Sequence, residues 1–432
     1  MDESDKTNLT IKILFVFVIN YQTDNNDSKI NQKERGMVIM KKKVFSLLLT
    51  VAMVLSLAAC GNGNNGTDTT ASTKEETTTA DSGSEETKEA SGGTTGSGGY
   101  EIALVTDLGT IDDKSFNQGA WEGVEAYGDE FGVSYKYYQP TEKTTAAYVE
   151  TIGLAVEGGA SVVVCPGFLF EPAVYEVQDT YPEVNFILID GEPHSEDYSE
   201  YRTNDNVMCI MFQEDEAGFL AGYAAVKEGY TKLGFMGGMA VPAVIRYGYG
   251  YLQGAEYAAA EMGIDSVEVQ YHYTGAFSAT PEAQAMAASW YESGSEVIFG
   301  CGGAVGNSVM AAAQDVDKAV IGVDVDQSGE SETVITSAMK KLLSSVYEGL
   351  KGHFDGNFPG GKTTFFDVTT DSIGLPMETS RFKTFSQDDY DAIYEKLVSG
   401  EVKIVNDIEL ETSDPEFYSK LNLSIVKATM VE

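Results

Sequence analysis

Glu101-Ile102-Ala103-Leu104-Val105-Thr106-Asp107-Leu108-Gly109-Thr110-Ile111-Asp112-Asp113-Lys114-Ser115-Phe116-Asn117-Gln118-Gly119-Ala120-Trp121 is the stretch on which the reading of this chain turns. Ile102 to Val105 form a short, unbroken apolar run, the pattern of a strand buried on both faces in a parallel sheet. A polar loop rich in Asp and Gly follows. Then Trp121, Val124, Glu125 and Gly128 fall at helical spacing, with Ser115 or Asn117 placed to begin the helix. Open α/β sheets bind ligands beyond the carboxyl ends of their strands, where such loops sit. Asp107 thus stands where an acceptor reaches a ligand, and Phe116 where an aromatic face covers one.

The alternation continues in both halves of the chain. Apolar runs at Ile102–Thr106, Ser134–Tyr138, Val162–Cys165 and Phe186–Asp190 are separated by helical patterns. Val207–Phe212 then leads into a helix over Glu214–Lys227, with Phe219, Leu220, Tyr223 and Val226 as its apolar stripe. A second set of strands is expected at Leu233–Met236, Val267–Tyr271, Val297–Gly300 and Val320–Val323, with helices near 243–262, 280–293 and 304–316. Two parallel sheets with right-handed crossovers follow from this order. The first passage between lobes is expected near 212 and a second after Asp326, so that a helix over Ser337–Phe354 returns to the first lobe. A third comes near 363, and the chain ends with a helix over Asp388–Ser399. Residues 100–211 plus 333–362 then make lobe 1, and 212–332 plus 363–432 make lobe 2. Three passages give a hinge and a cleft able to trap a small solute.

Thr106-Asp107-x-Gly109, followed by Ile111-Asp112-Asp113-Lys114-Ser115-Phe116-Asn117-Gln118, resembles the opening motif of the basic membrane protein family. These are nucleoside-binding lipoproteins of bacterial ABC importers, similar to the purine nucleoside receptor A type. The resemblance spans about 101–405. It implies an α/β type I periplasmic-binding-protein fold, two parallel-sheet lobes joined by a three-crossing hinge. It also implies ligand contact by Asp107, stacking by Phe116 and Phe277, and a ligand-reaching Lys in Thr336-Ser337-Ala338-Met339-Lys340, where Lys340 is preferred over Lys341. Asp190, closing Phe186-Ile187-Leu188-Ile189-Asp190, matches another Asp of the family.

Composition sets outer limits. A chain of 432 residues is too long for one ordinary core. With 28 Lys+Arg against 67 Asp+Glu its net charge is -39, which excludes nucleic acid as a partner and anionic membranes held by charge alone. Of the four cysteines, Cys165, Cys209 and Cys301 lie in apolar runs and read as buried, inert thiols. The three histidines are scattered, with no zinc-like spacing, so no metal is expected.

Met40-Lys41-Lys42-Lys43 and the apolar segment Val44 to Ala59 read as a secretory signal. It ends in Leu57-Ala58-Ala59-Cys60-Gly61, which resembles a lipobox whose Cys60 is diacylated. The span 40–60 is thus a lipoprotein signal peptide, and the protein is expected on the extracytoplasmic face of the cell membrane. Residues 1–39 do not fit this plan and read as a mis-assigned upstream segment, the true start being Met37 or Met40. Residues 61–99, made of Gly, Asn, Thr, Ser, Glu and Lys, form a flexible tether.

The remaining candidates cluster by chemistry. Asp112-Asp113 are adjacent in sequence, cannot face each other as an acid/base pair, and fit helix capping. Asn117 either caps too or donates to a ligand. Phe116 and Phe277 follow polar or Gly-rich loops rather than sitting on apolar stripes. One ring from each lobe is then expected to sandwich a planar base, each stack contributing roughly 1–3 kcal/mol. Trp121 reads as core. Gly300-Cys301-Gly302-Gly303 opens a helix, and the amides of Gly302 and Gly303 allow close backbone approach to a neutral ligand. Asp324, in Gly322-Val323-Asp324-Val325-Asp326-Gln327, is placed to accept both hydrogens of a ribose diol; a calcium loop there lacks its other ligands.

Acids for hydroxyls, rings for a base and one Lys describe a nucleoside site, since carboxylates repel phosphate and no basic pocket compensates. The expectation is a lipid-anchored, monomeric binding protein that passes nucleosides, purines favoured, to ABC permease subunits. It needs no cofactor and has no enzymatic activity, because neither a metal cluster, an activated nucleophile nor a full nucleotide fingerprint is present. A sugar or autoinducer-type receptor on the same fold is the alternative.

Overall fold

Val162 to Val164, Phe186 to Ile189 and Val207 to Cys209 are fully or almost fully buried. In the computed structural model, which describes residues 99–107, 109–406 and 420–431, these runs are neighbouring strands of one sheet. The first lobe begins β1 (Ile102–Val105), α1 (Phe116–Phe131), β2 (Tyr135–Tyr138), α2 (Thr145–Glu157) and β3 (Val162–Pro166). It continues through α3 (Glu171–Thr180), β4 (Asn185–Ile189) and β5 (Val207–Phe212). The second lobe opens with α4 (Glu214–Lys227), β6 (Lys232–Gly237), α5 (Pro242–Met262), β7 (Val267–Tyr273) and α6 (Pro281–Ser293). β8 (Val297–Cys301), α7 (Val305–Gln314), β9 (Ala319–Asp324) and β10 (Val334–Lys340) follow. After them come α8 (Leu342–Phe354), β11 (Lys362–Phe366), β12 (Ile373–Gly374), α9 (Gln387–Val398) and β13 (Val426–Met430).

The strand order is β11-β5-β4-β3-β1-β2 in one sheet and β12-β10-β9-β8-β6-β7-β13 in the other. All described pairings are parallel except β10 with β12. The doubly wound two-lobe architecture is therefore as expected. The signal segment, most of the tether and Cys60 lie outside the described residues. Among the described residues no helix is long and apolar enough to cross a membrane.

Two lobe boundaries differ from expectation. Residues 334–340 are not the start of a returning helix in lobe 1; they are β10, paired with β9 through Ser337–Gly322 and Ala338–Val323. β-Branched Val334, Ile335 and Thr336 favour a strand, and the helix starts only at Leu342, after the chain has crossed at Lys341. Residues 363–366 likewise belong to lobe 1, because Thr363-Thr364-Phe365-Phe366 add an edge strand beside Cys209–Phe212. The crossings thus fall at Gln213, Lys341 and Asp367.

α4 also departs from its expected one-sided stripe: from Glu214 to Val226 every residue but Glu216 is buried. A helix covered all round is a core helix. α5 approaches it so closely that glycines replace side chains at the contact. A Cβ on Gly250 would lie 1.9 Å from the Asp215 carbonyl oxygen, and one on Gly254 would lie 1.9 Å from that of Phe219. Gly218 and Gly222 make the reciprocal approach to Tyr247 and Tyr251.

Asp215, in the first turn of this packed helix, is buried, and its Oδ2 receives Asn406 Nδ2 at 3.5 Å. Burial, reinforced by the Glu214 carboxylate, pushes its carboxyl up to about 7, and burial pushes Glu216 up to about 7 as well. A carboxyl with a higher pKa folded than unfolded binds its proton more tightly in the native state. Its stabilising contribution is complete below about pH 4 and is lost as pH rises through the folded pKa. Calorimetric scans are expected to show the melting temperature falling from about pH 5 to about pH 8. Asp215→Asn is expected to flatten that slope; equal slopes in the two proteins would remove this account.

Candidate ligand-binding cleft

The carboxyl ends of β1, β3 and β4 in one lobe face those of β6, β8 and β9 in the other across a cleft whose empty space, open solvent included, is about 690 Å³. Asp107, Phe116, Asn117, Asp190, Phe277, Gly302, Gly303, Asp324 and Lys340 all line it. The sequence candidates are thus brought into one place.

On the first lobe, Asp107 Oδ1 accepts the Gly109 amide at 2.6 Å and Asn117 Nδ2 at 3.0 Å. Asp113 caps α1: Oδ1 accepts the amides of Ser115 and Gln118, and Oδ2 those of Asn117 backbone and side chain. Asn117 therefore does not cap the helix; its amide group ties Asp107 to Asp113. Because both carboxylates need a donor, the orientation of that amide is fixed. Burial raises the carboxyls of Asp107, Asp113 and Asp324, against the hydrogen bonds that lower them.

Asp190 and Asp324 each follow or end a strand with a left-handed backbone, φ 58° and 65°. Asp tolerates this conformation better than most residues, and here it turns both carboxylates toward the cleft. Asp324 Oδ2 accepts Ser115 Oγ from the other lobe at 2.5 Å, and Oδ1 accepts the Tyr247 hydroxyl at 3.3 Å. Gln327 makes a second link between lobes, donating Nε2 to the Lys114 carbonyl at 2.6 Å.

Lys340 Nζ lies 2.5 Å from Asp190 Oδ2, 3.0 Å from Glu214 Oε1 and 4.0 Å from Asp324 Oδ1. It also sits 5.0 Å from the Phe116 ring centre. Burial disfavours the ammonium, but these carboxylates outweigh burial and raise its pKa. Burial pushes the Asp190 carboxyl up, with Lys340 opposing. Lys341 faces away and pairs with exposed Asp371.

Phe116 and Phe277 are half-buried, one on each lobe. Phe277 rests on glycines: a Cβ would meet its ring at 2.5 Å from Gly238 and 3.2 Å from Gly302, and its carbonyl oxygen at 2.7 Å from Gly303. These glycines make room for the ring, a role the backbone-approach reading did not include. Trp121 is core, edge-on to Tyr135 and Tyr137. Cys165, Cys209 and Cys301 are free, buried thiols, and burial raises the pKa of each.

Sequence reasoning missed Tyr247, Phe168, Leu169 and Glu214. Gly167-Phe168-Leu169 carried a usable signal, a glycine and an aromatic directly after a strand. Tyr247 and Glu214 carried none, since their positions depend on how α4 and α5 pack.

Strand ends of two parallel-sheet lobes closing on a polar and aromatic cavity define a solute-binding protein of the periplasmic-binding type. Comparison with known proteins agrees. A family model described as "ABC transporter substrate-binding protein PnrA-like" matches residues 101–409. The chain is 30% identical over 308 residues to the ABC transporter nucleoside-binding protein BmpA of Lactococcus lactis subsp. cremoris, covering 66% of this chain and 84% of that one. It is 29% identical over 314 residues to basic membrane protein D of Borreliella burgdorferi, covering 71% and 86%. Among solved structures, an ABC transporter solute-binding protein from Aeropyrum pernix K1 superimposes with TM-score 0.64 at 26% identity, covering 75% of this chain and 98% of that one. The chain belongs to the PnrA-like family of ABC transporter substrate-binding proteins.

Proposed function

We propose that this protein binds nucleosides, purine nucleosides foremost, and presents them to an ABC permease from the outer face of the cell membrane, held there by a diacylated Cys60. It acts by binding and lobe closure, as a monomer, without a cofactor. The observation that carries the reading is the convergence in one cavity of a ring from each lobe, Phe116 and Phe277, with Asp107 and Asp324 at facing strand ends. In this reading the rings stack on the base, Asp107 and Asn117 meet its polar edge, and Asp324 accepts the ribose hydroxyls in place of Ser115 and Tyr247. Lys340 is engaged by carboxylates, so the cleft offers little to a phosphate. The Lactococcus relative, a nucleoside-binding protein by name, points the same way.

Thermal-shift measurements with nucleosides, pentoses and hexoses test the reading. A nucleoside at about 100 times its Kd adds roughly 2.7 kcal/mol of stability, enough to raise the melting temperature by several degrees. Free sugars are expected to give no shift. A response confined to pentoses or hexoses would transfer the protein to the sugar-receptor alternative, and titration with guanosine against cytidine separates the two base classes.

A further inference from the structure

Glu214 opens α4 directly after the first crossing, is fully buried, and stands behind the cleft wall rather than on it. Its Oε1 lies 3.0 Å from the Lys340 ammonium, and its Oε2 lies 3.4 Å from the guanidinium of buried Arg246. Lys340 does line the cleft, with Asp190 and Asp324 as its partners there. A lysine in a ligand cleft is ordinarily an anion receptor. Here a carboxylate fixed by a second cation approaches it from the protein side. Burial works against the charged form of Glu214, but Lys340 and Arg246 outweigh it and hold the carboxyl below its usual range. The charged groups gathered on this point are Lys340 and Arg246 against Asp190, Glu214 and Asp324, with Asp215 beside Glu214. Removing the Glu214 charge, which lies outside the cleft wall, shifts this balance without altering a cleft-lining side chain.

We propose that Glu214 is a specificity-determining residue: by holding Lys340 from behind the cleft wall, it makes the cleft reject phosphorylated nucleosides. The inference rests on the nucleoside reading above. Acting through Lys340, Glu214 is a positioning residue, and charge rather than contact transmits its effect. A buried charge is screened less than an exposed one, so its effect reaches a phosphate across the cleft and not only in contact with Lys340. A phosphorylated nucleoside would then have to lose its phosphate by ester hydrolysis before this receptor takes it.

Calorimetric titration of the full chain with guanosine, inosine and adenosine, and with their 5′-monophosphates, tests this. Wild type is expected to favour each bound nucleoside over its monophosphate by roughly a hundredfold or more. Glu214→Gln narrows that ratio at least tenfold, and Glu214→Asp, whose shorter carboxylate retreats from Lys340, falls between the two. A purely structural role lowers stability and both affinities together and leaves the ratio alone. An unchanged ratio in Glu214→Gln overturns the proposal; should that variant not fold, Glu214→Asp decides in the same terms. Wild type binding nucleosides with an unchanged ratio in the variants defeats the Glu214 assignment alone. Wild type binding none of the three defeats the nucleoside reading, and this inference with it.

Discussion

Asp324→Ala is expected to weaken nucleoside binding at least tenfold, about 1.4 kcal/mol. Asp324 ends β9 in a left-handed conformation that aims its carboxylate into the cleft, where both oxygens already meet hydroxyls, from Ser115 and Tyr247. A carboxylate that accepts two hydroxyl hydrogens is matched to a vicinal diol, and charged acceptors make the stronger hydrogen bonds. Alanine removes both acceptors and leaves the Ser115 and Tyr247 hydroxyls facing the gap. Lys340 retains Asp190 and Glu214, so the folded cleft persists. Phe116→Ala is expected to cost a similar factor for a different reason: one face of the base loses its stacking partner, worth roughly 1–3 kcal/mol. Both are read by calorimetric titration on protein whose far-ultraviolet circular dichroism matches wild type. Unchanged affinity in both variants would detach the cavity from nucleoside binding.

Gly250→Ala, like Gly254→Ala, is expected to be among the most damaging single-methyl changes in the second lobe. The added Cβ would lie 1.9 Å from the Asp215 carbonyl oxygen and 2.8 Å from the Phe219 amide nitrogen, both backbone atoms that no rotamer change can move. α4 and α5 must separate, and tight packing is lost along the whole contact. Overpacking ordinarily costs about 1–3 kcal/mol; contact with rigid backbone places this case at or above about 3 kcal/mol. For a chain of this size that lowers the melting temperature by roughly four degrees or more. Gly132→Ala is the control. It has a positive φ of 67° but nothing within 4 Å of its Cβ, so it pays only backbone strain of about 1 kcal/mol. Equal losses in the two variants would show that the helix contact is softer than its geometry.

Most of the cleft could be read before the fold was known, because its residues stand at strand ends where sequence and position coincide. Asp107, Asp190 and Asp324 each close an apolar run, and the helix after Asp107 begins within a turn of Asp113. What could not be read depends on contacts between distant segments. β10 was obscured by the Ser337 and Lys340 within it, and only its pairing with β9 reveals it. The lobe assignment of 363–366 rests on an edge pairing with β5. Tyr247 reaches the cleft, and Glu214 the back of its wall, where four glycines let α4 and α5 meet backbone to backbone, and glycine spacing in two helices does not announce that they touch each other.

The placement of the three crossings has a consequence for motion. Glu214 follows the first by one residue, and Lys340 precedes the second by one. In a rotation about an axis, points near the axis travel least. Glu214 and Lys340, each one residue from a crossing, are therefore expected to travel least in a rotation of the lobes about those crossings. Their ion pair is then the contact that a widening mouth disturbs least.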